Sequence, residues 1–255
     1  MPYLPGKERK KKEDDEKALP RGDIDVEKLS RAYEELMEVH RQTRESHIEM
    51  ILNLAIAAEY KDPDTGNHIL RVSDYATELG KALGLSNDEI EILRYASPMH
   101  DIGKIGIADR ILQKPGELTP EEWEIMKTHT LIGARMFQGA KAPLLKAAGQ
   151  IALSHHEQFD GSGYPHGECG EKIPIFGRIV ALVDVFDAVV SERCYKTKSS
   201  FEEGFAYIQT LAGTHLDPAL VRAFVGEQKN IRKVYDASTT IQQFVSDFEH
   251  QKLEL

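Results

Sequence analysis

An all-α fold is predicted by three observations. Apolar residues recur at three- and four-residue spacing along most of the chain. Period-two alternation of the kind that marks strands is absent. Helix-start and helix-stop residues punctuate the periodic segments.

The elements follow in order. Lys7 to Lys17 are eleven consecutive charged residues, six basic and five acidic. Such a run has nothing to bury, so residues 1–22 read as a disordered charged tail, closed by Pro20, Arg21 and Gly22. A helical pattern begins near Asp23 and can be followed to about Tyr60, and residues 23–51 are assigned as a leading helix. Leu29, Leu36, Thr43 and Met50 repeat every seven residues, with Tyr33, His40, His47 and Leu54 interleaved. Thr43, His40 and His47 dilute this heptad-like seam, which suits a bundle-edge helix or a dimeric coiled coil equally. Leu70, Val72, Tyr75, Ala76, Leu79 and Leu83 define a second helix that Gly84 closes. Ser86-Asn87-Asp88 opens a third, carrying Ile90, Ile92, Leu93 and Ala96. Thr119-Pro120-Glu121-Glu122 combines a Thr cap, a Pro at the first position and acids in the first turn. Pro143, Pro174 and Pro218 mark further boundaries. Asp160 to Ile175 holds Gly161, Gly163, Gly167, Gly170, Pro165 and Pro174, and reads as a loop. No internal repeat is visible.

Composition excludes several classes. The 255 residues carry 32 Lys and Arg against 42 Asp and Glu, a net charge of −10. That balance argues against wrapping duplex nucleic acid by bulk charge, although a small phosphate ligand can still be held by local cations or metal. Two cysteines, Cys169 and Cys194, are too few for a disulfide framework or a thiolate metal cage. Apolar runs such as Leu54–Ala58 and Ile179–Val183 are too short to span a bilayer, and no apolar stretch follows the charged N-terminus as in a signal peptide. The expectation is a soluble cytoplasmic protein with no membrane partner.

The chemistry lies in the histidines. Of ten, His40, His47, His166, His215 and His250 have no motif around them and read as ordinary histidines. His68, His100, His129, His155 and His156 stand in richer surroundings: Asp101 follows His100, His155 and His156 are adjacent, and Asp184 lies in Val183-Asp184-Val185-Phe186-Asp187-Ala188. Imidazole nitrogen and carboxylate oxygen suit Fe, Mn, Zn or Ni, and such ligands can converge from different helices of a bundle.

The flanking segments carry a resemblance. Glu59 to His68 reads EYKDPDTGNH, His100 to Gly106 reads HDIGKIG, and Lys114 to Thr119 reads KPGELT. His129 follows, then His155 to Pro165 as HHEQFDGSGYP, Ile173-Pro174, Arg178, and Asp184 to Lys196. This ordered set resembles the HD-GYP family, a subgroup of the HD metal-dependent phosphohydrolases, over roughly Leu52 to Val234. The resemblance implies an HD-domain helical bundle with an HD-GYP extension at 52–234, leaving a C-terminal helix at 235–255.

It also implies roles. His68, His100, Asp101 and Asp184 are metal ligands of the general HD type. His129, His155 and His156 complete a second site, and Asp101 bridges. Two or three divalent ions are implied, Fe or Mn first, with Zn or Ni as alternatives. Asp101 and Lys104 are the catalytic pair, and Lys104, three residues beyond Asp101, reaches the bound phosphate unless it is a solvated surface lysine. Tyr164 offers a ring and a hydroxyl to the substrate, or its loop only braces the two histidines. Arg193 and Lys196 match positions that touch substrate phosphates, or are simply exposed. Cys194 stands where the family usually has Pro, which leaves the placement of Arg193 in doubt. Asp64, four residues before His68, matches the carboxylate position of three-metal members, usually Glu, and is equally explained as a turn or cap residue.

The implied activity is hydrolysis of cyclic di-GMP to linear dinucleotide or GMP. Another cyclic dinucleotide such as cyclic GMP–AMP, general HD nucleotide phosphohydrolase activity, and a non-catalytic messenger- or partner-binding module are the alternatives. Members of the family commonly follow a receiver or sensor domain; none is read in this chain, so such a partner, or a second copy joined through the leading helix, is the expected assembly.

Overall fold

Local signals account for most helix boundaries in the computed structural model, which describes residues 25–59, 67–191 and 199–237. Three capping boxes start helices: Ser86 with Glu89, Thr119 with Glu122, and Ser200 with Glu203. In each, the cap hydroxyl accepts the third amide of the helix and the glutamate accepts the cap amide, satisfying two donors that a helix start leaves open. Pro120, Pro143 and Pro218 occupy first turns, where a missing N–H costs nothing. Gly84 takes the left-handed conformation (φ 72°) two residues beyond the second helix.

The helices are α1 (Val26–Glu59), α2 (Asn67–Ala82), α3 (Asn87–Ala96), α4 (Asp109–Leu112), α5 (Pro120–Lys127), α6 (His129–Met136), α7 (Pro143–Ser154), α8 (Ile175–Val190), α9 (Phe201–Thr210), α10 (Pro218–Gly226) and α11 (Gln228–Asp236). Between α3 and α4 run two 3₁₀ turns, Ser97–Met99 and Ile102–Gly106. Among the described residues there is no strand, only an isolated bridge between Ala212 and Leu216. None of the described helices is long and apolar enough to cross a membrane.

The chain forms two units, divided between Thr43 and Arg44. In the first, every described residue is exposed. In the second, α8 is apolar nearly all round and buries Ile179, Val180, Leu182, Val183, Phe186 and Val190, as a central helix must. It packs against α2, α7 and α9. The Phe186 ring sits edge-on to Tyr75, Phe201, Phe205 and Phe224 at centroid distances of 5.1–5.8 Å. Arg44 to Glu59 of α1 add Ile48, Leu52, Ala55 and Ala58 to this core.

Those four residues are not the heptad-like seam. Leu29, Tyr33, Leu36, Met50 and Leu54 are all more than half exposed. The core therefore selects a different stripe of α1 from the one the seven-residue repeat marks.

Two further expectations are refined. The 160–175 segment contains a 3₁₀ turn at Gly170–Lys172, and Ile175 already belongs to α8. The expected tail at 1–22, together with Asp64, Arg193, Cys194, Lys196 and most of the expected C-terminal helix, lies outside the described residues.

Candidate metal centre

The histidines and aspartates singled out in sequence arise at helix ends and turns. His68 is in the first turn of α2, and His100 and Asp101 join the two 3₁₀ turns. His129 opens α6, His155 and His156 directly follow α7, and Asp184 lies midway along α8. Packing of α2 on α8, of the second 3₁₀ turn on α6, and of α6 on α7 brings them together.

The second of these contacts depends on Gly103. A Cβ there would lie 1.9 Å from the His129 carbonyl oxygen and 2.5 Å from the Gly133 amide nitrogen. Only a residue with no side chain lets the turn carrying Asp101 approach the start of α6 so closely.

The donors form two groups. One comprises His68, His100 and Asp184; the other comprises Asp101, His129, His155 and His156. Within each, one ligand atom per residue lies within 4.8 Å of all the others. The Asp101 carboxylate faces both groups. Its Oδ1 is 3.3 Å from His129 Nε2 and 3.5 Å from His155 Nε2. Its Oδ2 is 3.4 Å from His100 Nε2 and 2.8 Å from Lys104 Nζ. Lys104 is presented by a 3₁₀ turn rather than an α-helix, which sets residues three apart almost in line.

Hydrogen bonds fix the ring tautomers. The Nδ1 of His100 lies 2.9 Å from the Ser97 carbonyl, and that of His129 lies 2.8 Å from the Met126 carbonyl. The Nδ1 of His155 lies 3.1 Å from the Ile151 carbonyl. A carbonyl oxygen can only accept, so each Nδ1 carries the proton and, in the neutral ring, each Nε2 turns a lone pair inward. The Nδ1 of His68 donates to the Asp187 carboxylate at 2.7 Å in the same way. Asp187 is buried and also accepts Arg71 Nε at 2.6 Å and Nη2 at 2.9 Å. A carboxylate behind a ligating histidine is a common device for orienting the ring.

This arrangement fits divalent metal. Lone pairs face carboxylate oxygens across 3.3–3.5 Å, close to the roughly 3.0–3.4 Å between neighbouring ligands about 2.1 Å from a shared ion. His100 Nε2 in the first group and Asp101 Oδ1 in the second are buried with no hydrogen-bond partner, a costly condition that a cation in each group relieves.

The electrostatics differ between the groups. Burial opposes charge on His68, but its bonds to Asp184 and Asp187 outweigh this and raise its pKa well above the ordinary value. His100 is raised too, burial being overcome by Asp101. In the second group burial lowers His155, and burial with the neighbouring His155 holds His156 well below the usual range. Asp101 is held well below the carboxylate range, because Lys104 and His100 outweigh its burial.

Tyr164 lies against the second group. Its ring stacks on His156 at 4.8 Å and 29°, the Lys127 Nζ sits 5.8 Å from the ring centroid, and burial raises its hydroxyl pKa. The loop is braced by Glu157, whose buried carboxylate accepts the amides of His166 at 2.7 Å and Glu168 at 3.0 Å. Gly163 passes so close that a Cβ would lie 2.2 Å from the Gln158 nitrogen.

Sequence reasoning missed three contributors. Asp187 and Arg71 each stand three residues beyond a named ligand, on the same helix face, so spacing held a signal for both. For Glu157, adjacent to His156, nothing in the sequence distinguished a loop brace from a surface acid.

A half-buried carboxylate shared between two clusters of histidine, all carried by a helical bundle, defines a metal-binding helical domain. The chain belongs to the HD domain family, in its HD-GYP branch; the family match spans residues 49–220. It is 46% identical over 187 residues to a cyclic di-GMP phosphodiesterase of Thermotoga maritima, covering 73% of this chain and 51% of that protein. It is 42% identical over 178 residues to a 3′3′-cGAMP-specific phosphodiesterase of Vibrio cholerae, covering 70% of this chain and 34% of that protein. The fold resembles the solved structure of a cyclic GMP–AMP-specific phosphodiesterase of V. cholerae, with a TM-score of 0.55 at 21% identity, covering 80% of this chain and 53% of that one. The chain thus spans about half the length, or less, of these three relatives.

Proposed function

We propose that the protein is a metal-dependent phosphodiesterase that hydrolyses cyclic di-GMP to the linear dinucleotide or GMP. The observation that carries this reading is the Asp101 carboxylate, with one oxygen toward each donor group and Lys104 beside it. The similarity to the Thermotoga enzyme supports the substrate.

His68, His100 and Asp184 would hold one ion and His129, His155 and His156 the other, with the Asp101 carboxylate shared between the two groups. Fe or Mn are the first candidates and Zn or Ni the next, with Asp64 as a ligand to a third ion. When bound, such ions supply a hydroxide at neutral pH and neutralise charge on the phosphoryl oxygens. Lys104 adds its charge to the phosphate under attack, a contribution that requires no rearrangement during reaction. Tyr164, a neutral phenol at physiological pH, offers its hydroxyl to the substrate as a hydrogen-bond donor. Arg193 and Lys196 take the second phosphate. The leading helix serves self-association or relays a signal from a sensor or receiver partner, and the protein works in the cytoplasm.

Cyclic GMP–AMP is the second substrate reading, favoured by the similarity to the Vibrio enzyme. The test is turnover of both cyclic dinucleotides by protein of measured metal content, with products resolved by chromatography. Faster cleavage of cyclic di-GMP by the two-metal form is the expected result. Tight binding without products, in fully loaded protein, would make this a messenger-binding module instead.

A further inference from the structure

We propose that Trp123 is the platform on which a base of the cyclic dinucleotide stacks. This rests on the substrate class proposed above and extends it to a residue outside the metal-binding segments.

The site has a phosphate end but needs a surface for flat purines. Tyr164 is the obvious aromatic, yet its ring is already stacked on His156 and approached by Lys127. It works as a wall that steadies a histidine. Trp123 is the next ring outward. Its centroid is 6.1 Å from that of Tyr164, with the planes at 80°. His156, Tyr164 and Trp123 thus form a continuous aromatic path from the metal donors toward solvent.

Packing does not explain the indole. Helix α5 buries none of its residues, and Trp123 is 45% exposed. It stands on a short helix held by the Thr119 capping box, which fixes its position independently of any core contact. An exposed indole beside the proposed phosphate site combines the features of single-strand nucleotide sites, where aromatic rings stack bases and nearby cations hold phosphates. Lys127, one turn along the same helix, supplies a cation beside this corner, paired with Glu124 at 2.7 Å.

Stacking is tolerant of base identity, because every base presents a π face. Trp123 therefore contributes affinity for purine dinucleotides in general and does not choose between cyclic di-GMP and cyclic GMP–AMP.

Trp123 is the only tryptophan in the chain, so intrinsic emission reports on this residue alone. Metal-loaded protein is titrated with the hydrolysis-resistant phosphorothioate analogue of cyclic di-GMP, and separately with inorganic phosphate, while emission and calorimetric binding are recorded. The expected result is quenching by the dinucleotide in step with the calorimetric isotherm, and no quenching by phosphate. Trp123→Ala should weaken dinucleotide binding roughly 10–100-fold, and Trp123→Phe should restore most of it at unchanged metal content. Calorimetric binding with unaltered emission, or full affinity in Trp123→Ala, would overturn the stacking role and leave the substrate reading intact. No calorimetric binding of either cyclic dinucleotide would overturn the substrate reading and this inference with it.

Discussion

The two donor groups are built differently. In the group of His68, His100 and Asp184, His68 is steered by the side chain of Asp187, more than a hundred residues away in sequence and itself clamped by Arg71. In the group of His129, His155 and His156, His129 and His155 bond to carbonyls three or four residues earlier in the chain, and His156 leans on Tyr164. The first group holds its histidines against carboxylates that favour their charged form; burial lowers the pKa of His155 and His156 in the second. The difference teaches where each can be broken. The first has a side-chain support that a single substitution removes. Much of the second is held by backbone, so it is vulnerable through close packing.

The largest effect is expected where the groups meet. Asp101→Ala removes the carboxylate that, among the described residues, faces both, so both metal sites should weaken and turnover should fall on the order of a thousandfold or more. Circular dichroism should remain helical, since no apolar core group is lost. Metal analysis alongside initial rates checks this, and two retained ions with normal turnover would refute the shared role.

Gly103→Ala should act on the second group. Its new methyl meets the His129 carbonyl, an overpacking that costs about 1–3 kcal/mol and lowers Tm by roughly 2–12 °C. Calorimetry should show that fall, with metal lost from the second group before the first. A variant as stable as the parent would mean that the turn and α6 are not in such close contact.

Asp187→Asn should be the mildest and the most selective. It removes the charge behind His68 and should weaken the first group's metal about 10–100-fold. Titration under limiting metal should show one weakened site and one unchanged; equal weakening of both would erase the distinction between the groups.

The sequence and the structure contribute unequally to this picture. Helix starts at Ser86 and Thr119 were legible, since the groups that satisfy them lie within one turn, and the start at Pro143 because a proline suits a first helical turn. The seven histidines and aspartates were legible as candidates through their flanking segments, and the fold brings their side chains into two adjacent groups. The buttress of Asp187 and Arg71 left only a faint trace in its three-residue spacing. The brace at Glu157 and the exposed ring of Trp123 left none, because neither depends on a local pattern.

What the sequence determined by itself is local: where helices begin and end, and which residues carry nitrogen and oxygen donors. A cap or a turn is settled by hydrogen bonds among neighbours, so a few residues suffice to specify it. Tertiary structure alone decided which stripe of α1 meets the core, which oxygen of Asp101 faces which histidines, and which acid stands behind His68. Those choices depend on the packing of helices far apart in the chain, where burial and close approach select one arrangement from the many that the same local pattern allows.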